Sequence, residues 1–168
     1  MNLIKPDASF KQSYLSYILE LGSEERYPFP LDFDHSDFSA LLKKINDFEQ
    51  GIHLPEGYVP SSTYWMVQGD ELIGVSNLRH HLNDQLLTAG GHIGLGIRPS
   101  YRGQGLSIKL LNLTLEQATE RGIKQVHIHC YADNKASAHM ILACGGVLDS
   151  VIEDGGHVVQ RYLIDLYN

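Results

Sequence analysis

Between Ile97 and Ser107 the chain reads IRPSYRGQGLS, a strand-like run passing into a helix-like run. Just before the helix no convincing Ser, Thr, Asp or Asn cap is offered. A helix start presents about four unpaired N–H groups and roughly half a positive charge, so something must satisfy them. Gly103 and Gly105 allow two solutions. They form a tight strand-to-helix turn, or they cradle an anion, most simply a pyrophosphate, whose oxygens approach the backbone with no Cβ in the way and with Arg102 adding charge at the rim.

The segment after Arg102 alternates at Leu106, Ile108 and Leu110 like a strand. A longer window adds Leu111, Leu113, Leu115 and Ala118, a broad helical stripe, and Arg121-Gly122 supplies its stop. The spacing predicts a helix from about Gln104 to Arg121. Two earlier helices are predicted, one carrying Tyr14, Leu15, Ile18 and Leu19 and stopping at Gly22, the other carrying Phe38, Leu41, Leu42, Ile45 and Phe48 and stopping near Gly51. The proline-rich stretch SEERYPFPLDFDHSD between them is a connection long enough to face a substrate. From Thr63 the pattern turns to strands: TYWMVQ, a Gly69-Asp70 turn, ELIGVSNLRHHLN, a loop, and GGHIGLGI, an antiparallel meander. QVHIHCY is a further strand with His127, His129 and Tyr131 on one face. A helix then begins near Asn134, and VLDSVIED with HVVQRYLIDLY closes the chain as a hairpin around Gly155-Gly156.

At 168 residues and 43% hydrophobic, with no composition shift, the chain suits a single domain with a sizeable core. A formal net charge of −7 argues against nucleic acid as a partner, because phosphates call for a basic face. No apolar run approaches the roughly 20 residues of a membrane helix. Two cysteines, Cys130 and Cys144, are too few for a disulfide framework. With no signal-peptide pattern at MNLIKPDASF, the expectation is a cytoplasmic protein without membrane contact.

Known phosphate loops fail on spacing. No G-x-x-x-x-G-K-[ST] occurs, and neither Gly94-Leu95-Gly96 nor Gly103-Gln104-Gly105 reaches the last glycine of G-x-G-x-x-G. What IRPSYRGQGLS resembles is the acyl-coenzyme A loop of the Gcn5-related N-acetyltransferases, the GNAT superfamily, with its [QR]-x-x-G-x-[GA] pattern after a strand ending in an aliphatic residue and a proline. Arg102, Gly105 and Ser107 occupy the defined positions, and Ile97 and Pro99 supply the strand end. Ser107 alone departs from the pattern, with a small side chain. The predicted element order matches the superfamily over nearly the whole chain. LRHHLN and GGHIG are also similar to a bacterial subgroup of predicted acetyltransferases.

The resemblance implies an α/β (α+β) GNAT fold: a mixed central sheet of six to seven strands, flanked by about four helices and splayed at the strand before the glycine loop. Residues 1–168 would form one N-acetyltransferase domain that uses acetyl-CoA as co-substrate. Leu95, Gly96 and Ile97 would pair through their backbone with the pantetheine arm. Arg102, Gly103, Gln104, Gly105, Leu106, Ser107 and Ile108 would form the pyrophosphate loop. Asn134 would hold the pantetheine, and equally reads as a helix cap with Ser137 downstream. Such an enzyme must deprotonate an ammonium, polarise the thioester carbonyl and protonate the leaving thiolate. The usual acid, a tyrosine seven residues after the asparagine, is replaced here by Ile141. The position of a glutamate base in several members is His129, and His92 lies one residue from another acidic-base position. Each also reads as a hydrogen-bonded sheet histidine. Tyr131, Tyr64 and His139 are further proton-transfer candidates, and Cys144 reads as packing at a helix end.

Two other readings stay open. One is a non-catalytic acyl-CoA sensor, suggested by the missing tyrosine; the other is a metal protein using His127 and His129 with His92 or His139. In the enzyme reading no metal is expected, and the acceptor is a small amine or a protein amine. Glu20, Glu24, Glu25, Asp32, Asp34 and Asp37 would draw a cationic one, or they are an ordinary solvated surface. A homodimer stays open as the assembly.

Overall fold

The computed structural model describes residues 1–167. Helix α1, Lys11–Leu21, buries Tyr14, Tyr17, Ile18 and Leu21 and stops at Gly22. The buried stripe is rotated from the expected one, since Leu19 is 82% exposed. Helix α2, Phe38–Gln50, starts where the Asp37 carboxylate accepts the Ala40 N–H at 3.2 Å. It ends at Gly51 in the left-handed conformation, where a side chain would be strained.

Strands β1, Asn2–Ile4, β2, Ser61–Gln68, β3, Glu71–Arg79, and β4, Ile93–Ile97, form an antiparallel sheet in that order. The short β1 carries no alternation long enough to announce itself, and the loop before β4 contains a five-residue helix α3, Asp84–Thr88, capped by Asn83. Helix α4, Leu106–Glu120, leads to β5, Gln125–Tyr131. Helix α5, Lys135–Ala143, then leads to the hairpin β6, Val147–Asp154, and β7, His157–Asp165. The last three strands form a second antiparallel sheet in the order β5-β7-β6.

The expected splay thus goes far enough to divide the seven strands into two ladders. They meet at His92, whose N–H donates to the His127 carbonyl at 2.7 Å. Past that point β4 has a ladder partner only in β3. Both faces of the β2–β3 pair are buried. Trp65, Val67, Leu72 and Val75 pack with α1 and α2, while Tyr64 and Leu78 join α4, α5, β5 and β7 in a second cluster. Buried serine and threonine hydroxyls are matched, as in the 2.8 Å bond between Ser76 and Thr114, whereas the buried Tyr14 hydroxyl has no partner among the described residues. The core thereby fixes β4 and α4 rigidly on either side of the glycine loop.

Candidate active site

The loop leaves β4 through Arg98, which is buried and carries its charge into a built socket. Its Nε donates to Glu20 at 2.8 Å, Nη1 to Glu71 at 2.7 Å and Nη2 to the Ser16 hydroxyl at 2.9 Å. Glu20 also accepts the Ser100 N–H, so α1 and β3 together hold the start of the loop. Gly103 and Gly105 follow with φ of +77° and +73°, and a Cβ at either would meet no atom within 4 Å. Gly105 occupies the cap position of α4 with no side-chain cap. Among the described residues, no protein group accepts the N–H of Gly103, Gln104, Gly105, Leu106, Ser107 or Ile108; the first helical bond is Lys109 N–H to the Gly105 carbonyl. The donors are therefore free for an external anion.

Arg102 is placed differently from the expectation of a free charge at the rim. Its Nε donates to the Ile97 carbonyl at 2.9 Å, and its two terminal nitrogens grip Glu24, each at 3.0 Å. That fork ties the loop to the segment after α1 and neutralises the charge.

A cavity of about 350 Å³ opens against these donors. Leu95, Gly96 and Ile97 form one wall, Arg102, Gly103, Gly105, Leu106 and Ser107 a second, and Ser137 with Met140 of α5 a third. Gln104, Ile108 and Asn134 do not line it. Asn134 caps α5, accepting the Ser137 N–H at 3.1 Å. Ile141 is fully buried in the second core cluster. The fourth wall is Tyr17 and Leu21 of α1 with Glu25 and Tyr27 of the connection that follows it, and nothing in the sequence of α1 signals that role. A Cβ at Gly94 would stand 2.8 Å from the Tyr27 hydroxyl, and one at Gly96 2.5 Å from the Tyr27 carbonyl oxygen. Two glycines two residues apart on one strand face are the signal that a backbone passes close.

The histidines are tied to the backbone. His92 Nδ1 accepts the His127 N–H at 2.9 Å, and His129 Nδ1 accepts the Gly90 N–H at 3.1 Å. Nδ1 as acceptor leaves the proton on Nε2 in each ring. Burial first, then neighbouring positive charge, lowers both to about 4. Among the other candidates, Tyr64 is in the core, His139 is exposed, and Tyr131 is exposed and stacks on His157 at 4.6 Å. Cys144 is half-buried against the second core cluster. Among the described residues no group of three or more His, Cys, Asp or Glu is arranged to hold a metal ion. No helix there is long and apolar enough to cross a membrane.

The acidic cluster is largely committed. Glu20 and Glu24 are ion-paired, Asp34 accepts the Ser36 N–H, and Asp37 caps α2.

A strand released from its neighbour beside a donor-rich helix start is the architecture of an acyl-transferring enzyme. That class is borne out in the sequence: residues 16–147 match the family described as acetyltransferase (GNAT) domain, and the chain belongs to it. No curated protein matches the chain in sequence. Solved structures similar in fold include RimL, a ribosomal L7/L12 alpha-N-protein acetyltransferase in complex with coenzyme A, at 19% identity and TM-score 0.71, covering 98% of this chain and 93% of that one. An acetyltransferase from Salmonella typhimurium that modifies the N-terminal serine of L7/L12 gives 19% identity and TM-score 0.70, covering 98% and 94%. A variant of the spermidine N-acetyltransferase SpeG from Vibrio cholerae gives 17% identity and TM-score 0.66, covering 98% and 95%.

Proposed function

We propose that residues 1–168 act as one domain that transfers the acetyl group of acetyl-CoA directly to a primary amine. The observation that carries this reading is the set of unaccepted N–H groups at the start of α4, of which Gly103, Gly105, Leu106 and Ser107 line the cavity alongside β4. A pyrophosphate fits the charge and spacing of those donors. The N–H groups of β4 that point away from β3 suit an extended pantetheine arm, and one near Leu95 or Gly96 suits the thioester oxygen. In the reaction the neutral amine forms a C–N bond to the carbonyl carbon, the C–S bond breaks, and the thiolate takes up a proton.

We assign His92 and His129 to holding the β4–β5 junction, because neither ring offers a free lone pair, and we assign the amine proton to solvent. The rate should then follow the ionisation of the amine, rising with pH through neutrality with no limb near 6.5. A limb there that His129→Ala removes would restore His129 as the base. The buried Ile141 favours one rival, a sensor that binds acetyl-CoA without turnover. Titration calorimetry with acetyl-CoA, beside thiol release on an amine panel, separates the two: binding with release supports transfer, and binding with no release on any amine supports the sensor.

A further inference from the structure

A second cavity, of about 210 Å³, lies beyond the segment Ser23 to Phe29, a strap that packs on β4 through Tyr27. Tyr27 lines the first cavity and Phe29, two residues on, lines the second. Its other walls include Tyr58, Val59, Leu86 and Arg79, with the exposed Glu56 and Gln85 at its edge. Arg79, at the end of β3, is half-buried with its guanidinium over the Phe29 ring, 5.8 Å from the centroid. Its Nη1 donates to the carbonyls of Gly90 and Gly91, at 3.3 and 2.8 Å. Among the described residues Nε and Nη2 have no acceptor, and no carboxylate forms an ion pair with Arg79.

Gly90 joins this arginine to the junction, since its carbonyl accepts from Arg79 while its N–H donates to His129. His129 Nε2 is itself buried with no partner. Arg161 on β7 bonds to the Ser150 hydroxyl and the Thr88 carbonyl, again without a carboxylate. Of the acids, Asp149 bears on His127 from β6, and Glu56 stands at the cavity edge. The surroundings of the second cavity thus hold an excess of donors and positive charge, while Glu20, Glu24 and Asp37 of the acidic cluster are bound up with Arg98, Arg102 and the start of α2, and Glu25 lines the first cavity instead.

We propose that the second cavity receives the acceptor and that Arg79 binds a carboxylate on it, so that the substrate is an amine carrying a carboxylate, such as an amino acid or short peptide, rather than a polyamine. The pair Nε–H and Nη2–H presents two donors in the plane that a carboxylate matches. Phe29 and Tyr58 supply apolar walls for the body of the molecule. Partial burial makes an unmatched guanidinium costly, which is the ground for discrimination: a ligand lacking the carboxylate leaves it unpaired.

The proposal rests on the acetyltransferase reading, and one set of assays separates their failures. Thiol release is measured with wild-type protein on amino acids and dipeptides, each beside its carboxamide, and on spermidine. The expected result is a KM at least about tenfold lower for the free carboxylate than for its amide, with spermidine poorer than either. Arg79→Gln should close that gap by raising KM of the carboxylate form while kcat stays within about twofold. Amides or spermidine serving as well as the carboxylates overturns the Arg79 assignment and leaves acetyl transfer standing. Acetyl-CoA binding with no thiol release on any amine overturns both. The comparison of acid and amide on wild-type protein decides the matter even where Arg79→Gln does not fold.

Discussion

A methyl group added at Gly96 would stand 2.5 Å from the Tyr27 carbonyl, whereas one added at Gly105 would touch nothing. The same substitution therefore has different consequences at the two positions. Gly96→Ala must push the strap off β4, an overpacking cost of about 1–3 kcal/mol, and a thermal melt should fall by several degrees. Gly105→Val loses roughly 1–2 kcal/mol to its positive φ and also sets a branched side chain over the free amides. Calorimetry should give an acetyl-CoA Kd at least about tenfold weaker; unchanged affinity in a folded variant would remove these amides as the phosphate site. Gly103 and Gly105 were legible in the sequence because their task is local, a positive φ before a helix. The task of Gly94 and Gly96 was not, because the atom they make room for belongs to Tyr27, far away in the chain.

At the level of elements, α1 and the loop before α4 act as one piece through Arg98 with Glu20 and Arg102 with Glu24. The Glu24 fork holds the charge that an incoming phosphate would use. Glu24→Gln should free Arg102 and tighten acetyl-CoA binding by about threefold at low salt, with the gain shrinking as salt is added. Weaker binding would mean that the bridge is needed to shape the loop. Helices α1, α2, α4 and α5 and the closing hairpin were readable from periodicity and glycine stops. Strand β1 and helix α3 were not, being three and five residues long. Arg98 in IRPS looks like a loop arginine by sequence, and only its partners on α1 and β3 bury it.

Across the whole molecule, the two sheets are joined where buried imidazoles accept backbone N–H groups, which makes the junction sensitive to acid. In the folded chain His80, His92 and His129 are each lowered to about 4, chiefly by burial. In the unfolded chain they titrate near the usual 6.5 of a histidine. Between those values the unfolded chain binds more protons, so stability that is intact above 6.5 is lost progressively as the pH falls to about 4. Urea midpoints should therefore drop steadily over that window, and midpoints that stay flat would place these rings in solvent. The division into two antiparallel ladders was legible only as a splay, because nothing local at His92 announces where β5 will meet it. The strap from Ser23 to Phe29 has a consequence for how such a protein changes over time. Glu24 ties it to Arg102, while both Arg26 bonds are made within its own neighbourhood, to the carbonyls of Gly22 and Glu24. Its remaining hold is packing, with Phe29 against Phe48 and Tyr58 and the backbone of Tyr27 against Gly96. Packing held by shape tolerates exchange, so the exposed residues of this strap are free to vary where β4 keeps its glycines and Glu24 keeps its hold on Arg102.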